Sequence, residues 1–184
     1  MRVISGSAKG RRLASVPGDS TRPITDRVKE SLFNIIGPEI QNSTFLDLFA
    51  GTGGVGIEAL SRGAESALFI DLNRRAIKTV HANLKLTQLA DHAQVIQGNA
   101  FTILDGSAND RYDYIYIAPP QYKGLWLQAL KLLDAHQEWL SPDGWVIVQI
   151  HPKELTSHDL DHLVEFDRRT YGSTLLLFFH SESN

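Results

Sequence analysis

The sequence predicts an α/β fold: a mostly parallel, seven-stranded sheet with helices on both faces and an antiparallel hairpin at a C-terminal edge. Three observations predict it. From residue 44 to residue 150, short apolar runs alternate with segments of helical period, which is the pattern of a parallel sheet covered on both sides. Within that stretch, Asp47-Leu48-Phe49-Ala50-Gly51-Thr52-Gly53-Gly54-Val55-Gly56 carries a buried strand into a glycine loop and a helix, and an acidic residue, Asp71, ends the next apolar run. Finally, residues 163–170 and 174–179 are both strand-like and are joined by Tyr171-Gly172-Ser173, a turn rather than a helix.

In chain order, residues 2–15 show short apolar-polar alternations broken by Gly6 and Gly10, which predicts a hairpin or loose strand pair, and Pro17-Gly18-Asp19-Ser20 reads as a turn. Thr25 stands where a helix N-cap belongs. Val28, Leu32, Ile35 and Ile36 then recur at helical spacing until Gly37-Pro38 stops the segment. A strand is expected over 44–49, a helix over 55–62 and a strand over 66–70. A helix follows over 74–89, with Ile77, Val80 and Leu84 on one face, and then a strand over 94–97. A short helix at 100–104, a strand at 112–117, a helix over 124–140 presenting Trp126, Leu130 and Leu133, and a strand at 145–150 complete the alternation. Seven strands ending in a hairpin match the Rossmann-like architecture of class I methyltransferases.

At 184 residues the chain is expected to form one domain over 1–184, with 1–36 as a basic extension, and its 42% apolar content is that of an ordinary globule. The absence of cysteine excludes disulfides, thiolate metal sites and cysteine nucleophiles. Residues 1–5 lack the apolar core of a secretory signal and 175–179 is far too short to cross a bilayer, so a cytoplasmic protein without membrane attachment is expected. Charge is unevenly placed: residues 1–36 hold seven Lys or Arg against three acidic residues, a balance of +4, while the rest carries −7. A basic arm on an acidic body suggests local contact with phosphates rather than a wholly cationic nucleic-acid binder.

Glycines at 51 and 53 let a ligand approach the backbone, and the helix start behind them offers free N–H groups to a negative group. Gly51, Gly53 and Gly56 also satisfy the G-x-G-x-x-G dinucleotide pattern, so an NAD-dependent oxidoreductase stays open as a reading of another class. Asp47 argues instead for S-adenosylmethionine (SAM), because a carboxylate near the strand end can meet the α-ammonium of a methionine moiety. Asp71 would then take the ribose hydroxyls. Ligands in such sheets lie outside the carboxyl ends of the strands, so Asp47, Gly51, Asp71, Asn99 and residues 118–122 should border one crevice. His158 and His162 stand four apart without the glutamate of a zinc-protease helix or an evident third ligand; both are expected in solvent, and no metal is expected.

Three stretches are more specific than any glycine pattern: Lys9-Gly10-Arg11-Arg12-Leu13, the run from Thr21-Arg22-Pro23 through Thr25-Asp26-Arg27 to Phe33-Asn34, and Leu46-Asp47-Leu48-Phe49-Ala50-Gly51-Thr52-Gly53. On these the chain resembles, over nearly its whole length, the bacterial RsmD family of small-subunit rRNA guanine-N2 methyltransferases. The resemblance implies rRNA binding by Lys9, Arg11, Arg12, Arg22 and Arg27, and a substrate met as a ribosomal particle. It also implies a SAM site formed by Asp47, Phe49, Gly51, Gly53, Asp71, Leu72, Asn99 and Ala100. Asn99 stands where the family usually has an aspartate facing the adenine amino group; its carbonyl oxygen still accepts.

A larger departure is Ala118-Pro119-Pro120-Gln121-Tyr122, where relatives carry Asp-Pro-Pro-Tyr. An exocyclic amine is a poor nucleophile because its lone pair is delocalised into the base, so such enzymes hold its N–H bonds on an Asp or Asn side chain and a proline carbonyl. The chemistry is mostly in-line positioning. Ala118 accepts no hydrogen bond. Pro119 and Pro120 still leave carbonyls free, Gln121 and Asn34 are candidate acceptors, and Tyr122 is a candidate stacking face for an extruded base. The expected function is methyl transfer to a guanine N2 of 16S rRNA, by a protein expected to be monomeric. The alternative within this fold is a SAM-binding assembly factor that contacts RNA and transfers weakly or not at all.

Overall fold

The computed structural model describes residues 1–18 and 23–182. Seven strands form one sheet: β1 (Thr44–Asp47), β2 (Ser66–Asp71), β3 (Ala93–Gln97), β4 (Tyr112–Ile117), β5 (Leu140–Ile150), β6 (Leu163–Tyr171) and β7 (Thr174–Ser181). Their spatial order is β3-β2-β1-β4-β5-β7-β6; the first five run parallel, and β7 is antiparallel to both β5 and β6. Five helices cover it: α1 (Asp26–Ile36), α2 (Gly54–Ser61), α3 (Arg74–Thr87), α4 (Ala100–Leu104) and α5 (Leu125–Ala135).

Side chains alternate across each strand, so the sheet separates two cores. Phe45, Phe69, Tyr114, Tyr116, Ile147 and Phe178 pack towards α1, α2 and α3. Leu46, Leu48, Ile70, Ile115, Val148 and Leu177 pack towards α4 and α5. Thr25 caps α1 as its position predicts, accepting from the Val28 N–H at 3.3 Å. At Gly56, an added Cβ would lie 2.4 Å from the Phe69 ring, so only glycine lets α2 settle onto β2.

Two elements differ from expectation. Helix α5 ends at Ala135 instead of 140; a 3-10 turn at Gln137–Trp139 follows, and β5 begins five residues earlier than the sequence suggests. Tertiary contacts decide this: Trp139 stacks on Tyr112 at 6.3 Å, and its indole N–H donates to the Leu104 carbonyl at 3.1 Å. The N-terminal segment, by contrast, is the loose antiparallel pair expected of it, with one bridge, Arg2 to Arg12, and backbone bonds from Val3 N–H to the Arg11 carbonyl (2.9 Å) and from Leu13 N–H to the Met1 carbonyl (3.1 Å).

That segment is fastened to the sheet's helices. Glu58 of α2, fully buried, accepts from the N–H groups of Ile4 (2.8 Å) and Ser5 (3.0 Å) and from Arg62 (2.8 Å), and pairs with buried Lys29 of α1 at 3.2 Å. Lys29 in turn donates to the Arg2 carbonyl at 2.6 Å. Further along, Asn83 of α3 accepts from the Ala14 N–H and donates to the carbonyls of Ala14 and Thr52, tying the arm to the glycine loop. Lys29 therefore belongs to the interior and not to the basic surface on which its charge would count. Among the described residues, no helix is long and apolar enough to cross a membrane.

Candidate active site

A crevice of about 1000 Å³ opens at the carboxyl ends of β1, β2, β4 and β5. Its floor is the turn after β1. Gly51 (φ +54°) and Gly53 (φ +76°) hold left-handed backbone conformations there, and a Cβ at Gly51 would meet nothing within 4 Å, so the loop leaves open space beside its backbone. Gly53 itself does not line the crevice; it faces Ile57, Val80 and Phe69 and starts α2.

Asp47 lies under this loop, 1% exposed, and its Oδ1 has no hydrogen-bond partner among the described residues. Burial pushes its carboxyl up to about 7, with nearby Asp71 adding to the rise, against backbone N–H groups of Gly56 and Phe49 that pull it down. A buried acceptor without a partner is costly, and here it faces a cavity. Asp71, at the end of β2, accepts from Gly51 N–H at 2.8 Å through Oδ2 and from Asn73 N–H at 2.8 Å through Oδ1. Those two bonds fix the carboxylate's orientation and leave each oxygen a second lone pair.

Phe49 and Phe101 pack at 5.9 Å and, with Leu72 and Ala100, supply apolar wall. Asn99 is the N-cap of α4, its Oδ1 accepting from Phe101 N–H at 2.9 Å, so a helix cap is one of its roles. Ala118, Pro119, Pro120, Gln121 and Lys123 form the opposite rim. Tyr122 is 64% exposed with φ +61°; its N–H donates to Glu154 Oε1 at 2.7 Å and its ring centre lies 5.7 Å from that of His151.

The structure does not bring Asn34 to this crevice: α1 turns Val28, Lys29, Leu32, Phe33 and Ile36 inward, which leaves Asn34 exposed. Lys9, Arg11, Arg12 and Arg27 are exposed on the arm and α1, while Arg22 lies outside the described residues. His162 is exposed as expected, but His158 is not; its ring meets Trp126 and Phe179 edge-on and pairs with Glu165 at 2.9 Å. Sequence reasoning missed several lining residues. Met1, Ser15, Val16, Pro23 and Ile24 come from the arm, which carries no signal for where it folds back, and Tyr116 and Gln149 come from strands whose pairing no local pattern encodes.

A sheet ordered β3-β2-β1-β4-β5-β7-β6, with its crevice over a glycine loop and a buried acidic strand end, defines a class I methyltransferase fold. It departs from the 3-2-1-4-5-6 order of dinucleotide-binding sheets through the antiparallel insertion of β7. A solved structure titled "Putative methyltransferase yhhF from Escherichia coli" superposes with a TM-score of 0.87 at 30% identity, covering 100% of this chain and 99% of that one. The family model described as Conserved hypothetical protein 95 matches residues 1–180. The chain belongs to this family, the RsmD family. It is 46% identical over 177 residues to the Bacillus subtilis protein named "Putative rRNA methyltransferase YlbH", covering 95% of each. It is 35% identical to the Ribosomal RNA small subunit methyltransferase D of Escherichia coli K12, over 81% of this chain and 74% of that protein.

Proposed function

We propose that this protein is an rRNA methyltransferase that uses SAM to methylate the exocyclic N2 of a guanine in small-subunit rRNA. The observation that carries the reading is Asp47: a fully buried carboxylate whose Oδ1 is unpartnered and borders a crevice needs a cationic or donor group to complete it, and the α-ammonium of SAM is one. Asp71 has lone pairs left for two ribose hydroxyls, the open space beside Gly51 admits the ligand's backbone-proximal atoms, and Phe49, Leu72, Ala100 and Phe101 suit a flat base. Membership of the RsmD family, with relatives named as rRNA methyltransferases, supports rRNA as the substrate, and the motif resemblance supports guanine N2.

Bound SAM supplies a methyl group activated by its sulfonium. The protein's task is then to bring an amine nitrogen in line with it, desolvated and with its lone pair free. Carbonyls at Pro119 and Pro120 are suited to one N–H of the amine, and exposed Tyr122 offers a face to an unstacked base. Lys9, Arg11, Arg12 and Arg27 form a basic approach for rRNA phosphates, with Arg22 next to them in sequence.

A second reading, an RNA-contacting assembly factor without transfer activity, rests on one specific residue, Ala118, which offers the amine no side-chain acceptor. Calorimetric titration with SAM and with NADH tests the cofactor: SAM binding with no NADH heat is expected, and the reverse would overturn the reading. Methyl transfer to undermodified small subunits then separates enzyme from assembly factor.

A further inference from the structure

We propose that Gln149, oriented by Tyr116, supplies the amine acceptor that Ala118 does not, making Gln149 a catalytic residue of the methyl transfer and Tyr116 its positioning residue. The inference rests on the methyltransferase reading above. Strands β4 and β5 run parallel with Tyr116 beside Ile147 and Ile117 beside Val148. One step further in the same register, Ala118 stands beside Gln149. Tyr116 and Ile147 belong to the core under α1 and α2, whereas Ile117 and Val148 belong to the opposite core, so Ala118 and Gln149 return to the first face, the face of Tyr116. Tyr116, Ala118, Gln149 and Asp47 all line the crevice.

The pairing explains how the two positions share one task. A short methyl at 118 leaves room in front of the neighbouring strand, and Gln149, half-buried, is long enough to project its amide there. The Tyr116 hydroxyl donates to Gln149 Oε1, which settles the amide's orientation and leaves that oxygen a second lone pair. Burial pushes the Tyr116 phenol well above its ordinary value, and the nearby Asp47 carboxylate adds to this, so Tyr116 stays a donor throughout the working pH range. Gln121, by contrast, is exposed on the rim turn, and Asn34 lies outside the crevice.

In the step itself, the amine nitrogen donates its lone pair to the methyl carbon. The N–C bond forms as the C–S bond breaks, sulfur keeps the bonding pair as a neutral thioether, and the methylated ammonium releases a proton to solvent. Gln149 Oε1 accepts one N–H of the amine as positive charge develops on nitrogen, an interaction that strengthens in the transition state.

The test is single-turnover methyl transfer from labelled SAM to undermodified small subunits, with SAM affinity measured by calorimetry on each variant. Gln149→Met fills the same volume without an acceptor and is expected to lower the rate about a hundredfold, with SAM affinity held within about twofold. Gln149→Glu keeps the acceptor and is expected to retain most of the rate. Adding Ala118→Asp to Gln149→Met should restore transfer by returning an acceptor from the adjacent strand. Tyr116→Phe should slow the parent about tenfold and have no further effect in the Gln149→Met background, the coupling that a merely structural tyrosine would not show. A Gln149→Met protein that transfers at the parental rate overturns this proposal and leaves the methyltransferase reading standing. So does one that loses rate and SAM affinity in proportion, since Gln149 would then be a cofactor contact. A parent protein that binds SAM but transfers nothing overturns the enzyme reading, and this proposal with it.

Discussion

Asp47 is the residue on which the proposed cofactor site rests, and its chemistry makes a pH prediction. Burial pushes its carboxyl up to about 7, so between about pH 4 and 7 it holds a proton that an unfolded chain would have released. Because the folded value is raised, its favourable contribution to stability is greatest below about pH 4 and is lost as pH rises towards 7. For the ligand the sign reverses: an α-ammonium pairs with the carboxylate, so binding must expel the proton. SAM affinity is therefore expected to fall by up to about tenfold per pH unit below 7, and calorimetric heats near pH 6 should vary with the buffer's ionisation enthalpy. Asp47→Asn should abolish both dependences; a parent protein whose SAM affinity is flat from pH 5.5 to 7 would remove Asp47 from the site. At this scale the sequence was a partial guide. The spacing from Gly51 to Asp71 predicted that the two would meet at one crevice, as they do, because one βαβ unit of the fold sets both positions. Asn34 was misplaced because helical period says that a residue lies on a helix, not which way that helix leans. Tyr116 and Gln149 meet across 33 residues through strand pairing, which no local pattern records.

Among the elements, the N-terminal loop couples the most structure to the least regular backbone. Glu58 gathers Lys29, Arg62, Ile4 and Ser5, and the arm it fastens also lines the crevice through Met1, Ser15 and Val16. Desolvation lowers the Lys29 ammonium from its ordinary value, with Glu58 acting against that shift, so Lys29 depends on its partner to remain charged. Glu58→Ala leaves buried Lys29 with the Arg2 carbonyl but without a counter-charge, and is expected to cost about 3–5 kcal/mol, which lowers the melting midpoint by about 10 °C or more. An unchanged midpoint would mean that the arm's fastening lies elsewhere. Outside this anchor the arm is basic. Arg12→Ala and Arg27→Ala are each expected to weaken small-subunit binding and to reduce the log–log salt slope by about one, with SAM affinity unaltered. If both variants keep the parental affinity and slope, these side chains are solvated charge and nothing more. The order and type of the regular elements were legible from periodicity, as the Thr25 cap and the bounds of α4 show. The end of α5 was not, since Trp139 and Leu140 fit a helical face as well as a strand, and only their contacts with Tyr112 and Leu104 decide.

For the molecule as a whole, the fold's polarity decides where the cofactor is expected to enter, and the charge asymmetry decides where phosphates are expected to meet the surface. The carboxyl ends of the parallel strands make the crevice, which the arm borders through Met1, Ser15, Val16, Pro23 and Ile24, while Lys9, Arg11, Arg12 and Arg27 lie outside its lining and Arg11 reaches the Leu86 carbonyl in the last turn of α3; rRNA phosphates are therefore expected to be held beside the crevice rather than in it. Strands that alternate with helices and then close with β6 and β7 made the architecture readable, because each connection is short and obeys the same packing rule. What a one-dimensional reading left open was whether a chain with alanine at 118 still performs the reaction. The most direct measurement is transfer of labelled methyl from SAM to undermodified small subunits, followed by digestion of the rRNA to nucleosides and identification of the labelled product. The account predicts label in N2-methylguanosine, formed by the native protein and lost about a hundredfold in rate with Gln149→Met. Label in any other nucleoside, or none at all from a protein that binds both SAM and the subunit, would contradict it.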